Sequence, residues 1–205
     1  MNNIGFLSGP EPSLAAQSMF DEDIADVGYV MNASRLWAHQ PTTVEALFGV
    51  ASMALADQGI SFRERATLVS ACASAYGDSY CSLAWGSKLA GVAGDDAAGG
   101  VLRGNDDGLT QREQALARWA RLVAREPNAT CETDVQKLRD AGFTESQIFA
   151  VTVFVAMRIA FSTVNDALGV KPDSEFRSTA PRAVVDAVNY GRPIADTASE
   201  SNRNE

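Results

Sequence analysis

The strongest constraint on this chain is a repeated helix-start signal. At Ser61–Glu64, Thr110–Glu113 and Thr144–Gln147 a hydroxyl residue stands three positions ahead of Glu or Gln, and each pair opens a long run free of Gly and Pro. At that spacing the two side chains reciprocally satisfy backbone N–H groups that a helix N-terminus leaves orphaned. Helix-stopping residues follow each run: Gly77, Pro127, and Gly169 with Pro172. No stretch alternates apolar and polar residues with period two, so the expected fold class is all-α. Apolar residues at helical spacing from Ile24 to Trp37 predict a further helix over Asp21 to about Ala38. Pro41 breaks it, and Thr42 or Thr43 starts another that runs to about Asp57. Shorter helices are expected over Asp95–Leu102 and Cys131–Asp140.

At 205 residues one domain is expected, flanked by weaker segments. Residues 1–20, with Gly5, Gly9, Pro10 and Pro12, form an expected N-terminal arm; residues 21–173 carry the helical domain. Residues 174–205 form an extension with a short helix over Ala183–Asn189 and a polar tail from Ala195 that is expected to be disordered. The net charge of −9 argues against nucleic acid or an anionic membrane as partner. No window of 18 residues is continuously apolar, and the N-terminus lacks a basic region followed by an apolar run. Three irregularly spaced cysteines make no disulfide framework, which suits a reducing, cytoplasmic setting. One histidine and scattered cysteines give no zinc or haem set, so no metal or cofactor is expected.

The candidate chemistry gathers around the second helix start after Gly77. Asp78 can cap it, which puts Cys81 in the first turn, where the helix dipole favours a thiolate. The bland alternative for Cys81 is a small buried residue, and for Asp78 it is the cap alone. If Asp78 has a chemical role, it is as a general acid or base. Trp85 lies one turn beyond Cys81 on the same face and either fills the core or walls a pocket. Tyr80 can offer a phenol or pack. Arg158 sits in the apolar run Val153–Phe161, where it needs a carboxylate or carbonyls. A structural ion pair is its bland reading, and an anchor for a substrate anion is the functional one, with Asn165 and Asp166 as members of the same polar group. His39, just before Pro41, suits a helix C-terminal contact. Gly86 allows another helix to approach closely.

The stretch from Ile60 to Gly86 resembles the signature of the carboxymuconolactone decarboxylase and alkyl hydroperoxidase D (AhpD) superfamily. That signature is a Glu on a helix, a C-x-x-C opening the next helix, and a His four residues after the second Cys. Aligned on Gly77, those positions fall on Ala66, Asp78, Cys81 and Trp85, so only Cys81 matches. Further segments resemble the peroxidase-related branch: Met31–Pro41, Leu109–Pro127, and Phe161–Pro172 with its Asp-Ala-Leu-Gly-Val. The resemblance implies an AhpD-like helical domain, a homo-oligomer of two to six copies, and a small-molecule substrate or external thiol reductant as partner. An aspartate at position 78 excludes an intramotif dithiol cycle. Three functions stay open. One is a peroxidase-related oxidoreductase with Cys81 as its single thiol. Another is a non-redox lyase, decarboxylase or isomerase, with Asp78 transferring protons and Tyr80 or Arg158 holding an anion. The third is a ligand-binding protein without catalysis.

Overall fold

The computed structural model describes residues 5–196, which form helices and connecting turns with no strand. The helices are α1 (Leu14–Val27), α2 (Asn32–Trp37), α3 (Pro41–Leu55), α4 (Phe62–Tyr76), α5 (Ser79–Ala93), α6 (Asp95–Arg103), α7 (Gln111–Arg125), α8 (Glu132–Asp140), α9 (Glu145–Ala167), α10 (Phe176–Thr179) and α11 (Arg182–Val185). A single 3₁₀ turn spans Pro127–Ala129. All three capping boxes form in full, at α4, α7 and α9.

Helix α4 is the axis of the domain. Its small residues Ala66, Ser70, Ala71 and Cys72 are buried, which lets α5, α6, α7 and α9 close on it from several sides. Helix α9 is long and apolar enough by length and composition to cross a bilayer, but here it packs against α3, α4 and α7 with Ile148, Val151, Phe154 and Val155 in the core. Its buried Arg158 and Asn165 are also out of keeping with a lipid-facing helix.

Several boundaries differ from the sequence expectation. Helix α1 begins at Leu14, because the Ser13 hydroxyl accepts from Ala16 N–H at 3.1 Å and caps it. The expected arm over residues 1–20 therefore contains the first half of a helix. The expected helix over residues 21–38 is two helices: Gly28 adopts φ 87°, a left-handed stop, and α2 starts afresh at Asn32. Helix α5 runs through Gly91 to Ala93. The extension from residue 174 packs on the domain as far as residue 196. Val184 is fully buried, Tyr190 Oη donates to Ser82 Oγ at 3.0 Å, and Ala195 N–H donates to Pro172 O at 2.8 Å. The remainder of the tail expected to be disordered, residues 197–205, lies outside the described residues. Gly86 does permit a close approach, but from within the chain. A Cβ there would stand 2.8 Å from Leu102 and 2.9 Å from Val184, so the glycine seats α6 and α11 on α5.

Candidate functional site

The turn from α4 to α5 fixes the sulfur. Gly77 takes φ 88°, and Asp78 then caps α5 by accepting from Cys81 N–H through Oδ1 at 2.9 Å. Asp78 is 0 % exposed, and its second oxygen accepts from Ser162 Oγ of α9 at 2.5 Å. The Cys81 sulfur is met from α9 as well: Arg158 Nη2 donates to Sγ at 3.3 Å, and Ser162 Oγ lies 3.9 Å away. The structure thus assembles Asp78, Cys81, Arg158 and Ser162 into one buried group across α5 and α9.

The expectation that the helix start would favour a Cys81 thiolate is corrected by these contacts. Burial pushes the Cys81 thiol well up, the Asp78 carboxylate pushes the same way, and only the Arg158 guanidinium pulls strongly against them. The physical reason is first that the sulfur is sealed from solvent, and second that the carboxylate capping the helix lies against it. Cys72, on α4, is likewise pushed up, to about 12, chiefly by burial.

The ion pair expected for Arg158 does not form. Arg158 is 6 % exposed, and among the described residues it has no carboxylate within ion-pair distance, while its Nε has no hydrogen-bond partner. Its guanidinium carbon lies 5.2–5.4 Å from the ring centres of Phe48, Trp85 and Phe161. Asn165 and Asp166 are not its partners. Asn165 Oδ1 accepts from Trp37 Nε1 at 2.9 Å. Asp166 is pushed up to about 7 by burial, with Asp78 adding to the rise and Arg192 opposing it.

Cys81 and Arg158 line a cavity of about 730 Å³ between α1, α2, α3, α4, α5 and α9. Trp85 and Tyr80 also line it, so of the residues given a chemical role from sequence Cys81, Trp85, Tyr80 and Arg158 meet here; Asp78 stays behind the wall. Tyr80 offers little polar chemistry, because its hydroxyl donates to Asp173 at 2.6 Å. The apolar wall is aromatic: Trp37 stacks on Phe161 at 5.5 Å and 5°, and Phe48 meets Phe161 at 5.0 Å. Sequence reasoning missed Ser162, Arg65 and Lys88. The signal for Lys88 was present, since Cys81, Trp85 and Lys88 follow the i, i+4, i+7 spacing of one helix face. His39 contacts the Ser8 carbonyl at 3.1 Å, away from this group.

No family model and no curated protein sequence matches the chain. Solved structures do. A peroxidase-related protein from Ralstonia eutropha JMP134, described as an alkylhydroperoxidase AhpD core, superposes with TM-score 0.72 at 24 % identity over 86 % of this chain and 96 % of its own. The fold is AhpD-like. A peroxidase-related protein from Silicibacter sp. TM1040 shares the AhpD-like core at TM-score 0.74 and 20 % identity, over 87 % of this chain and 96 % of its own. The debrominase Bmp8 shares it at TM-score 0.71 and 15 % identity, over 91 % of this chain and all of its own. A cysteine-to-alanine variant of Bmp8 in complex with 2,3,4-tribromopyrrole aligns at TM-score 0.64 and 15 % identity, over 92 % of this chain and 97 % of its own.

Proposed function

We propose that this chain is a peroxidase-related oxidoreductase of the carboxymuconolactone decarboxylase and AhpD superfamily that works through a single thiol, Cys81. The observation that carries the reading is the Arg158 N–H donated to the Cys81 sulfur at the wall of an aromatic cavity. A cation on the sulfur stabilises the thiolate as it forms and works against burial and Asp78, which together still hold the resting thiol up. The thiolate attacks the distal oxygen of a hydroperoxide; the O–O bond breaks, the alkoxide leaves and takes a proton, and Cys81 becomes a sulfenic acid. One external thiol then condenses with the sulfenic acid, releasing water and leaving a mixed disulfide. A second external thiol attacks that disulfide, which frees Cys81 and carries away the oxidised pair. The external thiol is required because position 78 holds an aspartate. The debrominase likeness supports a flat ring as occupant of the cavity.

Against proton transfer by Asp78 stands its placement: no exposed surface, and both oxygens already accepting hydrogen bonds. We also propose self-association through α3. This 15-residue helix carries one charge, Glu45, and leaves Phe48, Val50 and Met53 exposed, Met53 at 69 %.

The test uses a Cys131→Ser background, since Cys131 is exposed and would consume oxidant itself. With tert-butyl hydroperoxide and dithiothreitol, adding Cys81→Ser lowers turnover about 100-fold or more. Peroxide consumption that survives this change, or a Cys81 that never traps as a dimedone adduct, rejects the thiol mechanism.

A further inference from the structure

Trp85 is surrounded by cations. Lys88 Nζ stands 4.8 Å from its ring centre, the Arg158 guanidinium carbon 5.4 Å and the Arg65 guanidinium carbon 5.9 Å. All four residues line the cavity. Most of the other arginines near the core are engaged: Arg63, Arg112 and Arg121 each hold a carboxylate at 2.6–2.7 Å. Arg65, Lys88 and Arg158 hold none among the described residues, and the buried Nε atoms of Arg65 and Arg158 lack any hydrogen-bond partner. The carboxylates that line the same cavity are Glu22 and Asp23 of α1 and Glu45 of α3. Asp23 is committed to the Met31 N–H at 2.9 Å, and among the described residues none of the three reaches ion-pair distance of a cation.

An unpaired guanidinium that is nine-tenths buried is expensive, and placing two more positive charges beside it adds repulsion. The Lys88 ammonium is held below its usual range chiefly by desolvation, then by Arg158 and Arg65, with Asp26 opposing more weakly. Packing alone does not call for such a cluster, because a neutral residue would fill the same space at less cost. An anion that enters between the three cations would receive their N–H donors and cancel the repulsion.

We propose that the cavity is a subsite for a flat aromatic anion, its ring against the Trp37, Phe48 and Phe161 wall and its carboxylate or similar charge held by Arg158, Arg65 and Lys88. This builds on the reading of the cavity as the Cys81 site and names the substrate class for it. The cavity volume of about 730 Å³ exceeds the needs of a hydroperoxide and falls within the usual range for ring-sized ligands. The anion would lie beside the Arg158 guanidinium, which also touches the sulfur. Its charge therefore shares the group that tunes the thiol, so substrate binding and thiol reactivity are coupled.

The experiment is calorimetric binding of 2-naphthoate and its neutral counterpart 2-naphthamide to full-length Cys81→Ser protein, which removes thiol chemistry from the readout. The naphthoate binds about ten-fold tighter than the amide or better, and the gap narrows with added salt. Lys88→Gln and Arg65→Gln, both nearer the rim, each weaken naphthoate several-fold and leave naphthamide unchanged. Arg158→Gln removes the preference, and the rim variants keep the test decisive if that variant folds poorly. Equal affinity for the two probes, binding of neither, or a preference that survives Lys88→Gln and Arg65→Gln together overturns the subsite. A charge preference in a protein whose Cys81 is inert to peroxide would sink the redox reading and keep the subsite; a reactive Cys81 without the preference would do the reverse.

Discussion

The start of α4 and the cavity beside it use arginine in opposite ways. Where α4 starts beside α7, two capping boxes exchange partners. Arg63, one position before Glu64, donates to Glu113 through Nε at 2.6 Å and Nη2 at 3.2 Å; Arg112, one position before Glu113, donates to Glu64 through Nε at 2.6 Å. Nη1 of Arg63 donates to the Val92 carbonyl and Nη1 of Arg112 to the Gly142 carbonyl. Each carboxylate thereby caps its own helix and clamps the other. At the cavity, Arg65 and Arg158 sit among aromatic rings, and among the described residues neither has a carboxylate at ion-pair distance. Arg63 and Arg65 are two residues apart on one helix, so the contrast lies in the surroundings and not in the residue type. A cation whose partner is built in holds the fold together; a cation left without one is available to a ligand.

Breaking the clamp gives the largest effect on stability. Glu113→Ala removes a helix cap and strands Arg63, which costs about 3 kcal/mol by the typical values for a lost cap and a broken partly buried pair. Urea denaturation should show this as a lower midpoint at unchanged slope, with binding at the cavity intact in the folded protein. A loss under 1 kcal/mol would mean that solvent screens the clamp and that the contrast between the two regions is weaker than its geometry.

The cavity should respond with the opposite sign. Arg158→Met replaces an unpaired buried charge with an apolar side chain of similar length. Such replacements are often stabilising by about 1–2 kcal/mol, while affinity for an aromatic anion is lost. Stability gained with binding lost is the signature of a group kept for function. Destabilisation instead would make Arg158 a structural partner of the Cys81 sulfur.

Proton linkage separates the regions next. Burial alone would raise Glu64 and Glu113, but hydrogen bonds from Ser61 and Arg112, and from Arg63 and Thr110, outweigh it and leave both below the ordinary value of 4.5. Their stabilising contribution is complete above about pH 4.5 and is lost as pH falls through the depressed folded values. Asp166 behaves inversely. Its folded value near 7 exceeds the ordinary 3.8, so the folded chain keeps the proton longer, and stability is lost as pH rises between about 4 and 7. Asp166→Asn should flatten that slope and stabilise the protein at pH 8 by about 1 kcal/mol, a figure discounted for partial solvation. Thermal melts across pH 3–9 read both effects.

The clamp's helices were legible in sequence and the cavity's charges were not, for a physical reason. A capping box is local: Ser61 and Glu64 announce a helix start whatever else the chain does, and all three boxes form in full. The Cys81 position was likewise local, set by Gly77 and Asp78 just before it. Gly28 and Gly91 show the limit of local reading. They lie in similar helical surroundings, yet Gly28 takes a positive φ and ends α1, while Gly91 stays within α5. What surrounds the sulfur is decided by contacts far apart in sequence. Arg158 reaches Cys81 across 77 positions and Ser162 across 81, and no spacing rule forecasts that they share an environment. Nor does the sequence show that α4 turns Arg63 to a carboxylate and Arg65 to an aromatic wall.

The smallest change tests the point where cap and site meet. Asp78 touches both the helix start and the cysteine, so it carries the logic of the clamp to the wall of the cavity. Asp78→Asn keeps an amide oxygen that can accept from Cys81 N–H, and Asn caps helices nearly as well as Asp, so stability should move by only a few tenths of a kcal/mol. The same change removes the negative charge that, after burial, contributes most to holding the thiol up. The Cys81 pKa should therefore fall, and its alkylation by iodoacetamide at pH 7, read in a Cys131→Ser background, should rise several-fold because the thiolate fraction grows. The sign of that rate change decides between the readings. A faster thiol with unchanged stability means that Asp78 is a cap that restrains the cysteine. A turnover that collapses while the thiol stays reactive would mean that Asp78 moves a proton despite its burial, and would place the chemistry on the aspartate rather than the sulfur.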